Sequence, residues 1–118
     1  MVVAEAGRLA ERAGIPLETA IKVFNAGNAR SYISEQRFPN HILSGKFDGR
    51  STVSNLAKDL AMADSFASEV GEANAYTALT AQILAQAIER GMAGEDFTRL
   101  YAVYEELVRS AQKTQPSS

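Results

Sequence analysis

Apolar positions in this chain recur at three- and four-residue steps through nearly every long segment, which is the period of one face of an α-helix. The clearest case is residues 51–70, where Val53, Leu56, Ala57, Leu60, Ala61, Ala67 and Val70 form the apolar set. Ser51 or Thr52 can cap its start, and Gly71 suits a left-handed stop after its last apolar position. Residues 2–13 repeat the pattern with Val2, Val3, Ala6, Leu9, Ala10 and Ala13, and Gly14 offers a stop. Residues 17–26 follow, with Leu17, Ala20, Ile21 and Phe24 inward, until Gly27 and Asn28 break the helix as residues that tolerate positive φ. Residues 32–37 read as helix, Pro39 interrupts, and 40–44 make one further turn. Residues 75–90 bury Tyr76, Leu79, Ile83, Leu84, Ala87 and Ile88, with Asn74 as a candidate cap and Gly91 as the stop. Gly94-Glu95-Asp96 places acids at the next helix start, and Phe97, Leu100, Tyr101, Tyr104, Leu107 and Val108 form its broad apolar face, read as core or interface. The outcome is an all-α fold of about five to six helices joined by short loops, with no strand, no internal repeat and a polar, flexible tail over 113–118.

Two features stand out from this regular pattern. Beside the apolar face of the 51–70 helix runs a second line, Ser51, Asn55, Lys58 and Met62, with Asp59 about 100° further round the axis. By pattern, Lys58 and Asp59 are either two solvated charges or a cation and an acid set at the border of a buried face, where the cation can hold an anionic ligand. The first helix also opens in the middle of an apolar face, at Met1-Val2-Val3, with no Ser, Thr, Asp or Asn ahead of it. A helix without a start signal is expected where residues are missing upstream, or where a natural N-terminus frays.

Composition narrows the picture. The 118 residues are 46% hydrophobic, enough for a real core rather than a disordered chain. The net charge is −2 with no Lys- or Arg-rich run, which argues against nucleic acid as a partner. There is no cysteine, hence no disulfide and no thiolate chemistry. No apolar run reaches the ~20 residues needed to span a bilayer, and the first residues do not read as a signal peptide, so a cytoplasmic location is expected.

Complete catalytic motifs are absent. No G-x-G-x-x-G follows a strand and no G-x-x-x-x-G-K-[ST] occurs. The single histidine, His41, has no second ligand at a metal-binding spacing, so no metal is expected. The acid pairs Glu95-Asp96 and Glu105-Glu106 read as solvated faces rather than catalytic carboxylates.

The segments AERAGIPLETAIKVFNAGNARSYISEQRF, LSGKFDG and NLAKDLAMA, in that order, resemble the C-terminal helical domain of the β-hydroxyacid dehydrogenases. This is the family of 3-hydroxyisobutyrate dehydrogenase, tartronate semialdehyde reductase and L-threonate dehydrogenase. The shared signals are the helix end at Ala13-Gly14, the Asn28–Arg30 loop, the G-x-F loop, the K-D-L-x-x-A helix and a late G…D-F helix start, and they cover nearly the whole chain.

The resemblance implies a helical fold like the 6-phosphogluconate dehydrogenase C-terminal domain over residues 1–112. It also implies a parent that carries an N-terminal Rossmann domain, binds NAD or NADP and acts on a small hydroxy acid. The family's G-x-G-x-x-x-K-x-x-x-N motif, with its catalytic lysine, has no counterpart here, so no residue of this chain is expected to be catalytic. The chain is therefore expected to be a piece of such an enzyme, inactive alone, and a homo-oligomer. The alternative is a stand-alone helical assembly or binding module that has lost the activity. Residue by residue, the resemblance gives Lys58 a place beside the nicotinamide cofactor and Asp59 one near the substrate pocket. Many members have Phe seven residues before the motif lysine, where this chain has Ser51, which implies a smaller and more polar pocket wall. Asn28 and Arg30 fall in a region that faces the family's domain cleft.

Overall fold

The computed structural model describes residues 1–113, and among these it is entirely helical apart from turns and one isolated antiparallel bridge between Thr52 and Asp96. Five α-helices are present: α1 (Val2–Arg12), α2 (Leu17–Ala26), α3 (Val53–Val70), α4 (Ala75–Glu89) and α5 (Tyr104–Lys113). A π-helix spans Ile33–Leu43 and a 3-10 helix spans Phe97–Val103. Of the predicted flexible tail, only Lys113 lies among the described residues, and it is the last residue of α5. The chain divides into two units, Met1–Gly49 with Thr98–Glu105, and Arg50–Phe97 with the described residues from Glu106 onward.

The first unit is built round Leu17, Ile21, Phe38 and Tyr101, with Val3, Ala4, Phe24 and Ile42 packed against them. The α2 face is therefore the one the sequence predicts. The α1 face is not: Val2 and Leu9 are exposed, and the inward line runs through Val3 and Gly7. The reason is Gly7. A Cβ there would stand 2.8 Å from Leu17 Cδ1 and 3.2 Å from Tyr101 Oη, so the bare backbone admits both side chains and sets which face of α1 turns inward. Phe38 meets Tyr101 edge to face with ring centroids 5.3 Å apart.

Tyr101 donates its hydroxyl hydrogen to Glu11. Burial, then that carboxylate, push its ionisation well above the ordinary tyrosine value. The sign follows by linkage. In the unfolded chain Tyr101 ionises near pH 10, while the folded chain holds its proton to higher pH, so its contribution is intact below about pH 10 and is lost as pH rises beyond it. Thermal melts between about pH 8 and 11 are expected to show a falling midpoint above pH 10, and Tyr101→Phe is expected to flatten that fall. Equal slopes in the two proteins would show that the loss comes from other groups.

The segment around Pro39 corrects the expectation of a break. The chain winds through Pro39 as one π-helix rather than two short helices. Proline breaks an α-helix because it lacks the N–H that bonds four residues back and its ring crowds that turn. In π winding the partner lies five residues back, which for Pro39 is the carbonyl of Ser34. That carbonyl accepts instead from Asn25 Nδ2 at 3.0 Å, so α2 supplies the donor that proline lacks. Ser34 is fully buried, and its hydroxyl donates to Asn25 Oδ1 at 2.7 Å and accepts from the Ser31 N–H at 2.9 Å.

The second unit pairs α3 with α4. Thr52 is the cap of α3, its Oγ1 accepting from the Asn55 N–H at 3.2 Å. Gly71, at φ 75°, ends the helix with the Glu72 N–H on the Ala67 carbonyl and its own N–H on Ser68, a Schellman stop. Gly91 closes α4 the same way. Val53, Leu84 and Leu107 are fully buried in this unit.

Three expectations fail here. Along α3, Leu56, Ala57, Leu60 and Ala67 are only half-buried, while Ala61 and Val70 are exposed, because α4 covers one side of the helix. In α4, Tyr76 is 86% exposed and Leu79 and Ile88 are each just over a third exposed, leaving Ile83, Leu84 and Ala87 as the buried set. Asn74 occupies the capping position of α4, but its side chain donates to Asp64 of α3 rather than to its own helix. The last helix also differs in form, since it starts as the 3-10 turn over Phe97–Val103 and becomes α only at Tyr104.

Candidate functional site

The helix that carries Lys58 is held at its entry by backbone and side-chain bonds from the 93–96 segment. The N–H groups of Val53 and Ser54, orphans of the first turn, donate to the carbonyls of Glu95 at 2.9 Å and Ala93 at 3.0 Å. The Phe97 N–H returns to the Ser51 carbonyl at 2.9 Å. Asp96 accepts from the Arg50 N–H at 2.9 Å, where Arg50 takes the left-handed conformation at φ 65°. Glu95 and Asp96 are therefore not simply helix-start acids or a solvated face, because the Glu95 carbonyl and the Asp96 carboxylate hold the loop that leads into α3. Periodicity carries no trace of this role, since the partners lie more than forty residues apart in the chain.

On α3, Lys58 and Asp59 both point into solvent, and neither has an ion pair among the described residues. The border position expected for Lys58 is thus an outward one. Lys58, Ala61, Met62, Ser65, Phe66 and Glu69 line a shallow open concavity of about 430 Å³. Met62 and Phe66 are 64% and 63% exposed there. At 100° per residue, this face lies opposite the side bearing Val53, Leu56, Leu60 and Ala67. The result is an ammonium group flanked by two large apolar side chains and open to a ligand or another protein surface. Ser51 is half-buried just ahead of the Thr52 cap.

Asn28 and Arg30 belong to the first unit, in the exposed turn after α2. The Arg30 N–H donates to the Gly27 carbonyl at 3.3 Å, and its guanidinium stands 4.0 Å from Glu35. Gly27 itself is extended at φ −123°, so this turn forms without the positive φ the sequence suggests. Of the five residues singled out by sequence, Lys58, Asp59 and Ser51 share the second unit and Asn28 and Arg30 the first.

His41 does not stand alone. Its Nδ1 is 2.6 Å from Asp48 Oδ1, and Arg37 Nη1 approaches Nε2 at 3.4 Å. Arg37 can only donate, so Nε2 serves as the acceptor and Nδ1–H as the donor to Asp48. That bond holds the Asp48 carboxyl below its ordinary value. The His41–Asp48 pair bridges the end of the π-helix to the following loop, where Phe47 adopts φ 49°. Among the described residues no group of three or more His, Asp or Glu side chains is arranged to hold a metal ion. No described helix is long and apolar enough to cross a membrane.

A comparison with curated proteins found no match. A family profile described as the NAD-binding domain of NADP-dependent 3-hydroxyisobutyrate dehydrogenase matches residues 1–104, which include Asn28, Arg30, Ser51, Lys58 and Asp59. The all-helical architecture agrees with the resemblance, and this chain belongs to the 3-hydroxyisobutyrate dehydrogenase family, in its helical NAD-binding domain.

Proposed function

We propose that this chain is the C-terminal, cleft-forming and oligomerising domain of an NAD(P)-dependent β-hydroxyacid dehydrogenase, working in the cytoplasm with a Rossmann domain that holds most of the cofactor. The observation that carries this reading is the family match across residues 1–104 together with a solvent-open Lys58 on a helix fixed at both ends. The residues present fit one cofactor contact rather than a whole site. Lys58 offers three donors, and Met62 and Phe66 give an apolar flank, but the sequence has no glycine-rich phosphate loop.

A bound nicotinamide would accept the hydride that leaves the carbinol carbon of a small hydroxy acid, while the hydroxyl proton passes to a base outside this chain. Within that scheme Lys58 steadies the cofactor from a rigid helix, and Asp59 and Ser51 of the same unit face substrate. Ser51, in place of a bulky aromatic, favours a polar hydroxy acid. No residue here is assigned to proton transfer, and the chain by itself is expected to give no turnover with NAD, NADP and hydroxy acids.

In a complete dehydrogenase containing this domain, Lys58→Ala is expected to lower kcat/KM by about tenfold or more, about 1.4 kcal/mol of transition-state binding, without changing the melting midpoint of the domain. Unchanged kinetics would leave Lys58 a surface charge, and turnover by the isolated chain would overturn the division of labour. A second reading, a stand-alone assembly module, draws on the exposed Val2 and Leu9 of α1.

A further inference from the structure

Asp48–Gly49 is the one place in the chain where Asp or Asn is followed by Gly. Glycine has no side chain to shield its amide nitrogen, so that nitrogen can attack the side-chain carboxyl carbon of an Asp before it. The pair lies outside any helix, between two residues of left-handed conformation, Phe47 at φ 49° and Arg50 at φ 65°. Residues other than glycine hold that conformation only where their surroundings impose it. Here the π-helix fastens three successive residues. The His41 carbonyl accepts from the Phe47 N–H at 2.8 Å, His41 Nδ1–H donates to Asp48 Oδ1 at 2.6 Å, and Arg37 donates to the Gly49 carbonyl at 3.1 Å. Arg99 covers the Phe47 ring, 4.7 Å from its centroid. The Asp48 side chain is still 56% exposed, so water reaches its carboxyl.

We propose that Asp48–Gly49 is a site of spontaneous isoaspartate formation, and that His41 and Arg37 guard it in the folded chain. The reaction needs no cofactor. The Gly49 amide nitrogen attacks Asp48 Cγ, the neutral carboxyl loses its hydroxyl with the nitrogen's proton as water, and a cyclic succinimide closes. Water then reopens the ring. Opening at the side-chain carbonyl restores Asp, whereas opening at the main-chain carbonyl routes the backbone through Cβ and leaves isoaspartate. The net change is an isomerisation, with one water lost and one regained. Ring closure requires a neutral carboxyl and a Cγ that can swing to the Gly49 nitrogen. His41 opposes both, because its bond holds the carboxyl ionised, below its ordinary titration range, and fixes it toward the imidazole. Arg37 opposes the swing by fastening Gly49 at its carbonyl. Asp64–Ser65 is a useful contrast, since a small residue follows the acid there too. Both lie inside α3, where the helical ladder fixes the backbone, and Asp64 accepts from Asn74. The inference stands whether or not the chain serves a dehydrogenase.

The test is to age the full chain at neutral pH, folded and unfolded in urea, and to map isoaspartate over weeks. An endoprotease that cleaves before Asp but not before isoaspartate, read by mass spectrometry, locates each converted residue. Isoaspartate is expected at position 48 ahead of 59, 64 and 96, and to form about tenfold or more slower in the folded chain than in the unfolded one. His41→Phe removes the donor to Asp48 and is expected to raise the folded rate by about threefold or more, with folding checked by circular dichroism. His41→Asn keeps an N–H close to where Nδ1 stands and is expected to stay within about twofold of wild type. Should His41→Phe fail to fold, Arg37→Met, which frees the Gly49 carbonyl, takes its place with the same expected rise. An absence of isoaspartate at 48 in both states overturns the site. Equal rates in the folded and unfolded chain overturn the guard. So does a slower His41→Phe, which would make His41 the base that draws the proton from Gly49.

Discussion

Leu84→Ala is expected to cost about 3–5 kcal/mol, the largest loss of any single truncation considered for this chain. Leu84 sits on the buried line of α4 with Ile83 and Ala87, and none of its surface reaches solvent. Truncation removes three carbons from water-free contact and leaves a cavity that helices fixed at their ends cannot easily close. The ends are fixed here, because α3 and α4 both terminate in bonded left-handed glycines. Domains of this size are stable by only about 5–15 kcal/mol, so the loss takes a large fraction of the whole. Urea titration is expected to show a lower midpoint with an unchanged slope, and the melting temperature should fall by more than about 10 °C. Leu79→Ala, on the same helix but at 36% exposure, is the internal control and is expected to cost less than half as much. Equal effects at the two positions would mean that α4 is not buried on the side described.

The second large effect concerns Asn25. Asn25→Ala removes the donor to the Ser34 carbonyl and the acceptor for the Ser34 hydroxyl, and Ser34 has no access to solvent. The hydroxyl still has the Ser31 carbonyl at 3.2 Å, but leaving the buried Ser34 carbonyl without its donor costs about 1–3 kcal/mol. The sharper statement is about coupling. Pro39→Ala restores an N–H five residues after Ser34, where π winding directs it at that same carbonyl. In the Pro39→Ala background, Asn25→Ala is therefore expected to cost less than half of its wild-type value. A double-mutant cycle on chemical denaturation measures the difference. Strict additivity would mean that the proline and the asparagine do not share the Ser34 carbonyl.

The same residues explain what could be read in advance. Local rules worked wherever the cause was local. Thr52 caps α3, Gly71 and Gly91 end their helices, and the inward face of α2 is the one its spacing gives. Pro39 misled because the rule for proline assumes the four-residue ladder, and the winding that accommodates it depends on Asn25, fourteen residues earlier in another helix. Tyr76 misled for a different reason. Periodicity tells which residues share a face but not whether anything covers that face, and the first turn of α4 runs beyond its cover. Gly7 and Asp96 were invisible because their roles are set by Tyr101 and Arg50, distant in sequence. For the candidate site, Asn55, Lys58 and Met62 of the predicted line lie on the outward side of α3, opposite its buried face rather than at its border. Phe66 and Glu69, which complete the concavity around Lys58, continue that line three and four residues at a time and were legible by extension.

A helix with bonded caps at both ends behaves as a ruler. Between the Thr52 hydroxyl and the left-handed Gly71, α3 can neither gain a turn nor lose one without breaking a cap, so its outward side chains stand at fixed intervals. Lys58 and Glu69 are thus a positive and a negative mark three turns apart, about 17 Å by helix rise, with an apolar stretch between them. Any molecule that reads both marks at once must present the opposite signs at that spacing, which rules out small organic acids as bridging ligands and selects for extended surfaces.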